Sequence, residues 1–275
     1  MNVSVNTNSG AMIALQNLNK TNMDLQTTQN RINTGLEVSS AKDNGGIYAI
    51  AQRMRSQVSG FGVVGQILDR GEATLDVALA AGEAISDLLI EMNEKALAAS
   101  DASLDTASRS ALNEDFKALR DQISTIVSNA EFNGVNLIDG STSSFVALAN
   151  QDGSNTITVS SEDMSLSGSI VSLAVTASFA TGTQASNIAS QIGTSLDAVN
   201  SALARLGTKS KALEIHSSFV TKLSDALEVG IGNLVDADLA KESASLQALQ
   251  VKQQLGTQAL SIANQQPQSI LSYFG

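Results

Sequence analysis

Residues 47–99 read IYAIAQRMRSQVSGFGVVGQILDRGEATLDVALAAGEAISDLLIEMNEKALAA. Steps of three and four residues alternate along this stretch, through Ile47, Ile50, Met54, Gln57, Phe61, Val64, Leu68, Gly71, Leu75, Ala78, Gly82, Ile85, Leu89, Met92, Ala96 and Ala99. Of these 16 positions 13 are apolar, and the spacing sets them along one face of an α-helix. Ordinary globular helices end after about 8–20 residues; this pattern continues without a proline. The economical reading is a single helix, which at about 1.5 Å per residue spans roughly 80 Å. An element of that length predicts a rod rather than a globule.

Two further stripes can bury the first. After a break rich in Ser, Asp and Ala at 100–108, Leu112, Phe116, Leu119, Ile123, Ile126 and Ala130 share one helical face. That helix is expected to fold back antiparallel on the long one. Toward the other end, Val199, Leu206, Leu213, Val220, Leu227 and Leu234 recur at a strict seven-residue interval, the signature of a left-handed coiled-coil seam. The expected bundle core is therefore Ile47, Ile50, Met54, Phe61, Leu68, Leu75 and Leu89, with Leu112, Phe116, Leu119 and Ile123, and with Val199, Leu206, Leu213, Val220 and Leu227.

The stretch 131–186 has a different character. Asn133-Gly134, Asp139-Gly140 and Asp152-Gly153 separate short runs such as Phe145-Val146-Ala147-Leu148 and Thr156-Ile157-Thr158-Val159, which reads as β-hairpins. Ser and Thr supply 18 of the 46 residues from Ser141 to Ser186, so much of this segment is expected to face solvent. The hairpins are expected to cap one end of the rod.

The two ends carry a fourth pattern. Leu15, Leu18, Asn22, Leu25, Gln29, Ile32 and Leu36 step by three and four, as do Leu239, Glu242, Leu246, Leu249, Gln253, Gly256, Leu260 and Ala263. Both read as amphipathic helices whose stripes are interrupted by polar residues and a glycine. Helical stability in water comes mostly from packing of the apolar face, so these helices need each other or a partner. The expected packing positions are Leu15, Leu18, Leu25, Ile32, Leu239, Leu246, Leu249 and Leu260. The fold class is mainly α: a long antiparallel helical rod, a coiled-coil-like bundle, with a small β-hairpin region and terminal helices that need each other or a partner.

Composition removes whole chemistries. The 275-residue chain has no Cys and one His, so it holds no thiol nucleophile and no Cys/His or multi-histidine metal centre. It shows no nucleophile–base constellation and no Gly-rich phosphate loop; no enzyme activity, cofactor or metal is expected. His216 reads as a polar residue beside the seam, Asp236 and Asp238 as helix caps, and Asp152-Gly153-Ser154-Asn155 as a hairpin turn. The formal net charge of −11 opposes binding to nucleic acid. Residues 1–60 hold 5 basic and 3 acidic side chains, 61–200 hold 5 and 18, and 201–275 hold 6 and 6. No run reaches the roughly 18 apolar residues that a membrane-spanning helix needs. A membrane-surface helix would carry a basic face and aromatic anchors, whereas residues 1–40 have only Lys20 and Arg31 and no aromatic. Met1-Asn2-Val3-Ser4-Val5-Asn6 lacks the basic and apolar regions of a Sec-type signal peptide; export is expected to use another route.

The ends also resemble a known family. Ala11-Met12-Ile13-Ala14-Leu15-Gln16-Asn17-Leu18, Arg31-Ile32-Asn33-Thr34-Gly35, Ser40-Ala41-Lys42-Asp43-Asn44 and Glu131-Phe132-Asn133-Gly134 are similar to bacterial flagellin. So are Leu246-Gln247-Ala248-Leu249-Gln250 and the run from Leu260 to Leu271. The resemblance covers about 1–140 and 190–275 and is strongest to short alphaproteobacterial flagellins without inserted outer domains. It implies that 1–45 pairs with 235–275 as an inner polymerisation domain, and that 46–234 forms an outer helical domain with hairpins at about 131–186. It implies a secreted, extracellular subunit of the flagellar filament, used for swimming, whose principal partner is itself. The flagellar export apparatus and its chaperone, hook-associated proteins and cap proteins are implied as further partners; the alternative is a hook–filament junction protein. One departure stands out. Flagellins seen by the animal flagellin receptor resemble one another in an Arg-rich segment, and the matching stretch here is Ile90-Glu91-Met92-Asn93-Glu94-Lys95, with Glu91 in place of the key arginine.

Overall fold

The computed structural model describes residues 7–271, with side chains through residue 265. Five helices and two small hairpins follow in order: α1 Ser9–Thr34, α2 Gly45–Ala99, α3 Thr106–Asn129, β1 Glu131–Phe132, β2 Val135–Asn136, β3 Ser144–Leu148, β4 Thr156–Ser160, α4 Gly182–Val235 and α5 Leu239–Leu271. The expected single long helix is α2. The chain divides into two compact units, one from Met1–Ser56 with Ala226–Gly275 and one from Gln57–Asp225. The boundaries read from sequence, 45 and 235, mark the start of α2 and the end of α4, whereas the compact units divide inside those helices.

In the Gln57–Asp225 unit three helices share one core. Leu68, Leu75, Ile85, Leu89 and Met92 of α2 are wholly buried, as are Phe116 and Ile123 of α3 and Val199 and Leu213 of α4. Phe61, Leu206 and Val220 join them. Leu112 and Leu119 flank the α3 stripe and are half-buried, because Phe116 takes the inward position and stacks on Phe179 at a centroid distance of 5.2 Å. Asp105 starts α3 by accepting the Ser108 N–H at 2.7 Å.

The unit formed by the chain's two ends places its stripe residues less deeply. Ile47 and Met54 are half-buried and Ile50 is 54% exposed, while Ala51, one residue further on, is wholly buried. Leu227 is half-buried. The seven-residue seam does not reach Leu234, which is 37% exposed, while Ile231 and Val235 are buried. A straight α-helix drifts about 20° per heptad against a seven-residue repeat, so by the end of α4 the inward stripe has moved to steps of four.

The hairpins depart from expectation in extent and place. β1 pairs antiparallel with β2 through Asn133 and Gly134, both at positive φ (52° and 81°), as a type I′ two-residue turn requires. β3 pairs with β4 in the register Ser144↔Ser160 to Leu148↔Thr156, and Asp152-Gly153 lies in the connecting loop. Pairing then stops at Ser160 rather than continuing toward 186. From Ser161 to Thr181 the chain has no strand, and its apolar side chains Met164, Leu166, Ile170, Val171, Leu173 and Phe179 are buried. The Ser/Thr-rich stretch is thus not simply solvated: its hydroxyls lie mostly outside while its apolar residues complete the bundle core.

The hairpin segment does not cap an end of the bundle; it runs along the flank of α2. Recesses at Gly60, Gly71 and Gly82 receive it. A Cβ on Gly60 would meet Gln151 Cβ at 2.8 Å; on Gly71, Phe145 Cε1 at 2.5 Å; and on Gly82, Leu203 Cδ2 at 2.7 Å and Met164 Sδ at 3.3 Å. Polar ties fix it to the neighbouring helices. Arg205 of α4 holds Glu162 through two bonds of 2.7 and 2.6 Å, Arg120 donates to the Ala177 carbonyl at 2.7 Å, and His216 Nε2 lies 2.6 Å from the Ala149 carbonyl oxygen.

Candidate assembly interface

The α1–α5 pair is built from the interrupted stripes. Asn8 caps α1 by accepting the Ala11 N–H at 3.0 Å, and its Nδ2 donates to the Ala263 carbonyl of α5 at 2.7 Å. Gly35, at φ 72°, ends α1 in the left-handed conformation. Asp238 starts α5 by accepting the N–H groups of Ala240 and Lys241 at 3.0 and 3.1 Å. Asp236 takes a different place from the cap read in the sequence: its backbone bridges antiparallel to Leu36. Around that bridge Glu37 donates to the Val235 carbonyl at 2.7 Å and Ala237 to the Gly35 carbonyl at 2.9 Å.

Four of the residues that break the stripes, Asn22, Glu242, Gln253 and Gly256, meet a partner across the pair, while Gln29 is exposed. Gln253 Nε2 donates to Asn22 Oδ1 at 2.7 Å. Arg31 donates to Glu242 Oε1 at 2.9 Å, with Glu242 only 9% exposed. Gly256 faces Leu18, whose Cδ1 would lie 3.2 Å from an added Cβ. Sequence reading had no means to find these pairs, because the partners lie more than 200 residues apart and neither stripe shows them alone. Buried Arg31 Nε has no hydrogen-bond partner. Below α1, the Asp43 carboxylate accepts from both the N–H and the hydroxyl of Ser39 and Ser40; the Ser40 N–H, followed by the hydroxyls of Ser39 and Ser40, holds its carboxyl below the usual range.

Of the positions expected to pack, Leu18, Leu25, Ile32, Leu246, Leu249 and Leu260 are half-buried. Leu15 and Leu239 are 47% and 49% exposed. Met12, Ile13, Met23, Val251, Leu255 and Ile262 are exposed as well. Two helices bury only the sides that face each other, so this pair keeps a broad apolar surface of the kind that marks an interaction site.

Comparison with known proteins fixes what carries this surface. Residues 5–143 match the bacterial flagellin N-terminal helical region, and residues 189–274 match the bacterial flagellin C-terminal helical region. The chain belongs to the bacterial flagellin family. This flagellin is 56% identical over 271 residues to flagellin FljK of Caulobacter vibrioides, with 98% of each chain covered. It is 39% identical to a flagellin of Brucella melitensis over 98% of this chain and 99% of that one. Its fold resembles a putative flagellar hook-associated protein from Vibrio parahaemolyticus, at a TM-score of 0.59 and 14% identity, covering 70% of this chain and 100% of that one. Near-full-length similarity to flagellins identifies a short alphaproteobacterial flagellin, a structural filament subunit, and does not favour the hook–filament junction alternative. Among the described residues of this flagellin no group of three or more His, Cys, Asp or Glu could hold a metal ion, and no helix is long and apolar enough to cross a membrane.

Proposed function

We propose that this flagellin polymerises through the α1–α5 pair into an extracellular helical filament that drives swimming. The supporting observation is the apolar surface that the pair leaves uncovered, from Met12 to Met23 on α1 and from Leu239 to Ile262 on α5. Full burial of each such side chain between copies contributes about 1.5–3 kcal/mol, offset in part by ordering of the helices as they dock. In this reading Leu18, Leu25, Ile32, Leu246, Leu249 and Leu260 hold the two helices together, while Leu15 and Leu239 meet neighbouring copies. Residues 1–45 with 235–275 act as the inner polymerisation domain, and 46–234 as the outer domain facing water. A contact that does not close on itself generates an open helical polymer.

The subunit has no catalytic role in this proposal. It leaves the cell through the flagellar export apparatus with a chaperone, and meets hook-associated and cap proteins at the filament's ends. Glu91 is exposed, and with an acid in place of the family's arginine the chain escapes the animal flagellin receptor; strong activation of receptor-bearing reporter cells would contradict that. The central test mixes purified full-length chain with short filament seeds and examines the product by negative-stain electron microscopy, beside a chain lacking 246–275. Long filaments from the full chain and none from the truncation are expected. Short caps on the seeds from the full chain would instead indicate a junction protein.

A further inference from the structure

A cleft opens where α2 meets the two hairpins. Ile67, Arg70 and Thr74 stand at steps of three and four, which sets them on a single face of α2. With Phe132, Asn133 and Val135 of the first hairpin and Phe145 and Leu148 of β3 they surround a space of about 300 Å³. Ile67, Phe132, Val135, Phe145 and Leu148 are large and apolar, and all five remain half-buried. The walls are therefore apolar surface that the fold leaves partly uncovered.

The cleft also carries a cation without a partner. Residues 61–200 hold 5 basic side chains against 18 acidic ones, and four of the five are engaged. Lys95 pairs with Asp115 at 3.0 Å, Lys117 with Glu114 at 2.8 Å and Arg120 with Asp121 at 2.7 Å, while Arg109 donates to the carbonyls of Ala99, Asp101 and Leu104. Arg70 forms no ion pair, and its guanidinium no hydrogen bond, among the described residues. The Thr74 hydroxyl is spent on the Arg70 carbonyl at 2.8 Å. The Asn133 side-chain amide, held at the cleft by its left-handed turn (φ 52°), likewise has no hydrogen-bond partner among the described residues. Two polar groups are thus left to meet a ligand, and a guanidinium presents a planar fork of donors matched to a carboxylate.

We infer that this cleft binds a small apolar monocarboxylate, whose carboxylate takes paired bonds from Arg70 and whose hydrocarbon body lies against Ile67, Phe132, Val135 and Phe145. Size, lining and charge each narrow the class. A space of about 300 Å³ is at the lower end for ligand clefts, which suits a short chain or a single ring rather than a nucleotide. Apolar walls favour a ligand that brings hydrocarbon to bury. The other faces of this stretch of α2 are acidic: burial first, and then the charges of Asp76, Glu214 and Asp69, push the Glu72 carboxyl up, with Lys211 pulling the other way. A field of that sign opposes a doubly charged phosphate more than the single charge of a carboxylate. The α1–α5 pair supplies no residue to the cleft, so binding belongs to the subunit by itself and goes beyond the filament reading.

The test titrates octanoate into the full-length chain and follows the methyl resonances of Ile67, Val135 and Leu148 by NMR. Acetate, octanol and octyl phosphate serve as comparison ligands, and Arg70→Gln as the variant. Octanoate is expected to shift these methyls saturably. Acetate, which has no apolar body, is expected to bind at least about tenfold more weakly, and octanol and octyl phosphate to bind more weakly than octanoate. Arg70→Gln should weaken octanoate by about tenfold or more and leave octanol unchanged. The Arg70 side chain is exposed, so a melting profile matching the unaltered chain confirms that folding is intact. Absence of a saturable shift, octanoate binding untouched by Arg70→Gln, or acetate or octyl phosphate binding as tightly as octanoate would each overturn the site. Shifts of equal size at Ile13 of α1 and Ile262 of α5 would overturn it as well, by showing general adsorption to exposed apolar surface. None of these outcomes bears on whether the chain forms filaments, so the two readings fail separately.

Discussion

The bundle from Gln57 to Asp225 and the pair made by the chain's ends are built from helices of similar apolar spacing, yet they stand at opposite degrees of completion. In the bundle a third helix and the 161–181 segment close the core, and Leu68, Leu75, Ile85, Leu89 and Met92 lose all exposure. In the end unit the buried apolar side chains among the described residues are Val38, Ala51, Ile231 and Val235. The difference teaches that apolar periodicity specifies a helix, while the number of neighbours decides whether its face becomes core or interface.

The strongest way to break this comparison is to remove one large side chain from each region. Phe116→Ala should lower the stability of the bundle by about 3–5 kcal/mol, through lost contacts and the cavity left under Phe179. Leu15→Ala should leave thermal melting of the free chain within about 0.5 kcal/mol of the parent while weakening seeded elongation. Equal melting losses would mean that the end pair is already a finished core.

Glu242→Ala sharpens the contrast from the other side. It leaves Arg31, whose buried Nε already lacks a partner, with only the longer pair to Glu37 at 3.9 Å, and should reduce α1–α5 pairing by about 1–3 kcal/mol. Hydrogen exchange is expected to quicken in α1 and to stay unchanged in α3. Protection lost equally in both helices would show that the two regions unfold as one.

Within α2, Gly71 and Gly65 form a matched pair. Gly71→Ala drives a methyl into Phe145 and should destabilise by about 1–3 kcal/mol. Gly65 has nothing within 4 Å of an added Cβ, so Gly65→Ala should stabilise by roughly 0.5–1 kcal/mol through helix propensity. Chemical denaturation of the two variants reads both signs.

The smallest effect concerns Glu72. Its carboxyl is raised in the folded chain, so the folded state binds its proton more tightly than the unfolded chain does, and stability falls as pH rises through the folded value. Glu72→Gln should therefore melt slightly above the parent at pH 7, and that advantage should fade below the ordinary carboxylate range. A constant difference at all pH values would point to packing rather than charge.

Much of this architecture was legible from spacing. The series from Ile47 to Ala99 gave α2 because a helical period sustained without proline has no competing interpretation, and the seven-residue seam located α4 from Val199 to Val220. Its failure at Leu234 is arithmetic drift that a strict repeat conceals. The segment from Ser161 to Thr181 was illegible because it has no period: its backbone is organised by single bonds such as Glu162 N–H to the Leu137 carbonyl at 2.8 Å and Met164 N–H to the Ile138 carbonyl at 2.8 Å. At the assembly surface, sequence supplied the stripes but read Asn22, Glu242, Gln253 and Gly256 as blemishes. They are the fittings that match α1 to α5, and only the fold brings them together.

The three recesses on α2 lie eleven residues apart, at Gly60, Gly71 and Gly82. Eleven residues make close to three helical turns, so the recesses line up like the holes of a flute. Adding or deleting one residue between them would rotate part of the row by about 100°, and the strap bearing Gln151, Phe145 and Met164 could no longer seat in all three. Length change in this part of α2 is therefore quantised, and the loop from Ala149 to Asn155 is held to the same phase, because its Gln151 occupies the first recess.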